Sequence, residues 1–191
     1  QPSSDVVVSV VSRDVGAAAS SPATMTFTSA NYATPQTVTV VPVNDNDTVD
    51  ELATVTLSAT GLASRVVSVG VDDDDSQILL LSTAALTVTE GGTATFTARL
   101  AFDPLSSVSV GVGSADTAAA TASPATLSFD SSNYSVPQTV TVTGVHDADL
   151  AAESVVITLN GAGAGAPNAT VTTTVTDDDS QSLVVTPTSL T

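Results

Sequence analysis

Apolar and polar residues alternate along most of the chain. In "TATFTARL", Ala94, Phe96, Ala98 and Leu100 share one face, and Val108, Val110 and Val112 share one face of the next run. Val140 and Val142, then Val155, Ile157 and Leu159, then Val171 and Val175, continue the pattern. Earlier in the chain the same positions are Val6, Val8, Val10, Val38, Val40, Ala53, Val55, Leu57, Val67 and Val71. Successive side chains of an extended strand point to opposite faces, so a period of two predicts strands buried on one side and solvated on the other. Gly, Pro, Asn and Asp separate the runs, and no long stretch repeats apolar residues at helical spacing. About seven such strands per ~100 residues predict an all-β chain of tandem immunoglobulin-like antiparallel β-sandwiches. The chain has no Cys and no Trp, so the likeness to antibody domains is architectural only.

The strand pattern is carried by an internal repeat. "PATMTFTSANYATPQTVTV" from Pro22 recurs as "PATLSFDSSNYSVPQTVTV" from Pro124, 102 residues on. The same offset relates Asn31 to Asn133, Asp45 to Asp147, Asp47 to Asp149 and Glu51 to Glu153. Two extra residues in "GAGAGAPNA", relative to "GLAS", lengthen the offset to 104, which relates Asp73-Asp74-Asp75-Ser76-Gln77 to Asp177–Gln181. The expected organisation is a repeat lacking its first strands over 1–77, a complete repeat over 78–181, and the first strand of a following repeat over 182–191. "SLVVTPTSLT" matches "ILLLSTAALT" from Ile78, and the whole reads as a window on a longer tandem array.

Composition narrows the chemistry. Of 191 residues 42% are hydrophobic but only 3% aromatic, so the cores must be built from small β-branched side chains. Twenty acidic residues stand against three basic ones (Arg13, Arg65, Arg99), for a net charge of −17. That balance disfavours nucleic acid and anionic membranes as partners, because phosphate binding needs Lys and Arg, and it favours cations. Without Cys there is neither a disulfide framework nor a thiolate metal site. No run of 18 apolar residues and no signal peptide occurs. "GAGAGAP" (161–167) lacks the Lys-Ser/Thr of a phosphate loop and reads as a flexible hairpin loop.

The carboxylates sit at strand ends. They are Glu90 in "VTEGG", Asp116 in "SAD", Asp147 and Asp149 in "HDAD", Glu153, and Asp177, Asp178 and Asp179. Glu90, Asp116 and the Asp triplet follow strands expected to run the same way, so their ends share one pole of the sandwich, which the "HDAD…E" turn can also reach. Carboxylates within ~6 Å of one another repel at a cost of several kcal/mol unless protons or cations neutralise them. Calcium suits such a cluster, taking six to eight oxygens in irregular geometry, whereas magnesium holds its water and zinc has one His and no Cys to bind. Acidic turns also keep β-proteins soluble and bond their own backbone, and for Asp147 and Asp149 alone that reading has equal standing. His146 reads as a solvated turn residue.

"LTVTEGG", "SADTA", "HDADLAAE" followed by "SVVITL", and the closing "DDD" resemble the Calx-beta domain, in the order that family shows them. The resemblance covers the second repeat and the rest of the first, and it implies a calcium-binding β-sandwich of the kind found in sodium–calcium exchangers, integrin β4 and long bacterial surface proteins. Carried over by motif, it implies Glu90, Asp116, Asp147, Glu153, Asp177, Asp178 and Asp179 as ligands in the second repeat, with Asp149 beside them. In the first repeat it implies Asp14, Asp45, Asp47, Glu51, Asp73, Asp74 and Asp75, with Asp72 opening the same run. His146 and Leu150 stand where the family often has acidic residues, which points to a smaller or weaker ion cluster.

Three roles follow as expectations. The first is a stalk or extender of a secreted cell-surface protein such as an adhesin, with calcium stiffening the hand-over between neighbouring repeats of one chain. The second is a module binding a glycan or protein through its loops, although the chain offers only Tyr32 and Tyr134 as polar aromatics. The third is a filament assembled from identical chains. An enzyme is disfavoured, because no Cys, no Lys and one His leave no nucleophilic triad. Asn46, Asn133 and Asn168 open triplets of N-glycosylation form, a pattern frequent by chance in Thr-rich chains.

Overall fold

The computed structural model describes residues 1–162 and 166–186. Residues 163–165 of the glycine-rich loop and 187–191 of the expected third repeat lie outside the described residues. Fifteen strands and no helix occur among the described residues, so no helix is long and apolar enough to cross a membrane. The strands fall in two compact units, Gln1–Asp75 and Ser76–Thr191.

The first unit contains β1 (Val6–Ser12), β2 (Ala18–Ser21), β3 (Thr24–Phe27), β4 (Thr39–Pro42), β5 (Glu51–Ser58) and β6 (Arg65–Val71). A four-stranded sheet runs β3-β1-β5-β6, and β2 pairs with β4 in a second sheet. All of these pairings are antiparallel. Its buried apolar residues form two small clusters, Ala17, Ala18, Ala53 and Val71 in one, Val10, Met25 and Val55 in the other.

The second unit contains β7 (Leu79–Leu81), β8 (Ala85–Thr89), β9 (Thr93–Leu100), β10 (Val108–Ser114), β11 (Ala120–Ser123), β12 (Thr126–Phe129), β13 (Gln138–Gly144), β14 (Glu153–Ala162) and β15 (Asn168–Thr176). Its sheets run β12-β10-β14-β15-β8 and β11-β13-β9-β7. Phe96, Leu100, Val140 and Val142 from one sheet meet Val110, Leu127, Phe129, Ile157, Leu159, Val171 and Val175 from the other in a single core. This is a β-sandwich, and its inward residues are those the period-two pattern selects.

Two features depart from the alternation reading. The pairing of β8 with β15 is parallel, so the larger sheet is mixed, not wholly antiparallel. Val67, read as inward, is 52% exposed, whereas its repeat counterpart Val171 is fully buried. β6 is the outer strand of its sheet, while β15 lies between β14 and β8, so only the counterpart of β6 has a strand on either side.

The repeated "NY…PQ" stretch is structural. Asn31 accepts from Thr28 N and donates to Thr26 O, and Asn133 likewise accepts from Asp130 N and donates to Ser128 O. Gln36 and Gln138 donate to those same carbonyls at 2.9 and 2.7 Å, which pins the crossing loop to the strand before it. Tyr134 packs on the core, whereas Tyr32 is about half exposed.

Candidate metal centre

The acidic pole of the second unit is assembled from both sheets. β15 pairs in parallel with β8, so Glu90 and Asp177 leave their strands at the same end. Glu153 opens β14 at that end, opposite Val175. Glu90 also bridges to Gly144 at the end of β13 in the other sheet, with Gly91 N donating to Gly144 O at 3.0 Å. Gly91 holds a φ of 64°, which a side chain disfavours, and a Cβ on Gly144 would stand 2.5 Å from Thr89 O. The loop after Gly144 then carries His146, Asp147 and Asp149 over the pole.

Each aspartate of the alternating runs commits one oxygen to its own turn. Asp147 Oδ1 accepts from Asp149 N at 2.9 Å, Asp149 Oδ1 from Ala151 N at 2.7 Å, and Asp177 Oδ1 from Asp179 N at 2.8 Å. The first unit repeats the arrangement, Asp45 accepting from Asp47 N, Asp47 from Val49 N and Asp73 from Asp75 N. These bonds fix the carboxylates and partly offset their charge, leaving their second oxygens free.

Among the described residues, carboxylate oxygens of Asp45, Asp47, Asp73, Asp147 and Asp179 converge with neighbouring acidic groups, whereas Asp149 and Asp177 join none of these groups. Glu90, Asp147 and Glu153 each bring a carboxylate oxygen within 4.8 Å of the others. Glu90, His146 and Asp179 form a second such group, and Asp45, Asp47, Glu51 and Asp73 form one in the first unit. The Glu90 side chain is fully buried, and its Oε1 has no hydrogen-bond partner; Glu153 Oε2 and Asp177 Oδ2 are likewise buried and unpartnered. An unpaired carboxylate oxygen withdrawn from water is unfavourable by several kcal/mol in general, which a cation relieves. Burial pushes the Glu153 carboxyl up from its ordinary value, and the charges of Asp147 and Asp149 push it the same way. Glu51 is raised first by burial, then by its hydrogen bond with Asp45 and the charges of Asp45, Asp47 and Asp73. Asp75 is raised by burial and by Asp73, Asp74 and Asp45. The acidic groups could hold a metal ion, and hard oxygen donors of this kind suit calcium, magnesium or manganese.

Other candidates are placed differently. Asp14 Oδ1 accepts from Gly16 N and Ala17 N, and the exposed Asp116 accepts from Ala118 N at 2.9 Å, so both cap their own turns outside these groups. Asp116 lies two residues past the end of β10, which sits on the far side of β14 from β15, roughly 10 Å across two strand spacings. Asp72 and Asp74 line an open cavity with Asn44, Asp45, Glu51 and Asp73. Asp149 and Asp179 line another with Leu150 and Gln181, and Asp178 Oδ1 lies 3.5 Å from His146 Nδ1.

Two residues escaped the sequence reading. Asp50 accepts from Asp73 N at 2.8 Å, fastening the end of β6 to the loop before β5. His146 has the exposure of a turn residue, its side chain 60% accessible, yet its Nδ1 lies 2.9 Å from Glu90 Oε2, a contact that alternation does not reveal. Its hydrogen bond with Glu90 raises its pKa above the ordinary value, against the opposing effect of burial and with help from Asp179 and Asp178.

No protein-family model matches the chain, and no curated protein sequence matches it. Among solved structures it is similar to domains 4 and 5 of the S-layer protein SbsC, at 20% identity and a TM-score of 0.45, over 88% of this chain and 70% of that one. It is also similar to SbsC domains 1–6, at 20% identity and a TM-score of 0.47, over 91% of this chain and 20% of that one.

Proposed function

We propose that the chain is a non-enzymatic structural segment of a long secreted, cell-surface protein, built from Calx-beta-like repeats and stiffened by calcium. The observation that supports this is Glu90, a fully buried carboxylate with one oxygen unpartnered, grouped with Asp147 and Glu153 at the pole where β15 ends. In each unit the segment leaving the last strand carries ligands, and so does the loop that opens the preceding strand. An ion shared between Asp73 and the Asp45–Glu51 loop, or between Asp179 and Glu90, ties the exit segment to the body of its own unit. Removing the ion returns the run Asp72–Asp75 to mutual repulsion and loosens that exit. Calcium fits better than magnesium, because the donors are irregularly placed and numerous, and extracellular modules bind it at roughly 10⁻⁴–10⁻³ M.

Thermal melting tests the reading. With ions removed by EDTA and then 10 mM calcium added, the melting temperature rises by about 10 °C or more, and magnesium fails to reproduce the shift. Backbone order parameters of Asp72–Gln77 rise in the same titration. Equal melting in EDTA and calcium overturns the ion-binding role; melting that shifts while those order parameters stay fixed overturns the stiffening role.

A further inference from the structure

The chain has one histidine, and it stands in the acidic pole of the second unit. We infer that Glu90, His146 and Asp179 form a distinct site for a borderline divalent cation such as zinc, adjoining the oxygen-only group of Glu90, Asp147 and Glu153 and sharing Glu90 with it. The inference rests on the reading that this pole binds divalent ions, and adds that its two positions select different metals.

One ring nitrogen of His146, one oxygen of Glu90 and one of Asp179 lie within 4.8 Å of one another. His146 Nδ1 is 2.9 Å from Glu90 Oε2 and 3.5 Å from Asp178 Oδ1. Donors around a tetrahedral zinc ion with bonds near 2.1 Å sit roughly 3.4 Å apart; the Glu90–His146 separation is shorter than that and the Asp179 oxygen lies within 4.8 Å of both, so small side-chain shifts bring the three to that spacing. Glu90 is the fixed member: its side chain is fully buried and Glu90 N donates to Thr176 O at 3.0 Å. Its two oxygens divide the work, Oε2 facing His146 and the amide of Asp147 while Oε1 stays unpartnered. The imidazole is 60% exposed, which leaves a path for the ion and room for a water ligand.

Ligand chemistry then decides the metal. Carboxylate and carbonyl oxygens suit calcium and magnesium, while an imidazole nitrogen favours zinc, copper or nickel. The repeat provides an internal contrast, since the position equivalent to His146 in the first unit is Asn44, which offers only an amide oxygen, and the counterpart of Glu90 lies outside this sequence. The zinc position therefore belongs to the second unit alone.

The test uses zinc chloride added to the whole chain in saturating calcium, with the ring nitrogens of His146 followed by NMR. Zinc shifts those resonances and binds one ion per chain more tightly than any remaining site. His146→Asn, which places the first unit's residue at the exposed position, weakens that binding by at least about tenfold and leaves the calcium response intact. Unmoved ring resonances, or zinc affinity unchanged in His146→Asn, overturn the inference. The calcium melting shift is read in the same samples, so its absence identifies failure of the parent reading separately.

Discussion

Glu90 and Gly144 come from opposite sheets of the second unit yet form a parallel bridge, with Gly144 N also donating to Gly92 O at 3.1 Å. This crossing brings the loop carrying His146 and Asp147 onto a carboxylate that the other sheet has buried. It requires a residue without a side chain, because a Cβ on Gly144 would meet Thr89 O at 2.5 Å and Val175 Cγ1 at 3.2 Å. Gly144→Ala should therefore cost about 1–3 kcal/mol of unfolding free energy, measured by urea denaturation in EDTA. It should also reduce the calcium stabilisation, since the two halves of the pole separate. An alanine variant as stable and as calcium-responsive as the parent would show that the crossing positions nothing.

The crowded carboxylates give the ion-free chain an unusual pH dependence. Glu51 and Glu153 hold protons more tightly when folded, so stability is gained as pH falls through their raised values and the gain is complete below the ordinary value of 4.5. His146 acts in the same direction at higher pH: its contribution is fully present below 6.5 and lost as pH rises through its raised folded value. Asp130 is held below its ordinary value by bonds from Ser132, and its contribution is lost only at the acid end, below 3.8. In EDTA the melting temperature should rise from pH 8 to pH 5. In saturating calcium the slope should reverse, because protons compete with the ion for the same oxygens. Calorimetry in the two buffers checks both slopes, and parallel profiles would remove the ion from the pole.

How much of this is written in the sequence depends on the range of the interaction. The strands were legible because burial on one face imposes a period of two, and Phe96, Val110, Val140 and Ile157 sit where that period puts them. Val67 follows the same period but is exposed, because being an outer strand is a property of the whole sheet. The acidic pole was legible from repetition, which singled out Asp45 with Asp147 and Glu51 with Glu153. Repetition also hid things. Asp50 faces Ala152 and His146 faces Asn44 across the repeat, so neither carried the signal that marked the others. The parallel pairing of β8 with β15 and the bridge from Glu90 to Gly144 join residues far apart in sequence, and alternation carries no information about them.

Asp116 and Asp147 occupy comparable motif positions but different structural ones. Asp116 spends its Oδ1 on the Ala118 amide and lies outside the carboxylate groups, whereas Asp147 shares its group with the buried Glu90 and Glu153. Asp147→Asn should weaken calcium binding by about tenfold or more, and Asp116→Asn, which keeps the accepting oxygen, should change it less than about twofold. Isothermal titration of each variant with calcium decides. A large loss in Asp116→Asn would mean that binding draws β10 into the pole.

The last contrast concerns what holds each unit together. In the second unit Phe96 is 1% exposed and lies in one core spanning both sheets, so nothing compensates if its ring is removed. Phe96→Ala should cost about 3–5 kcal/mol, the range for deleting a buried aromatic ring and leaving a cavity. In the first unit Val67 lies on an outer strand and is 52% exposed, so Val67→Thr, which keeps a β-branched side chain, should stay within about 0.5 kcal/mol. Amide hydrogen exchange on both variants shows where each effect falls. Phe96→Ala should accelerate exchange across β9, β13 and β14, which share that core, while Val67→Thr leaves β5 and β6 unchanged. Comparable losses from the two substitutions would mean that Val67 is packed as tightly as Val171, against the exposure difference between the repeats.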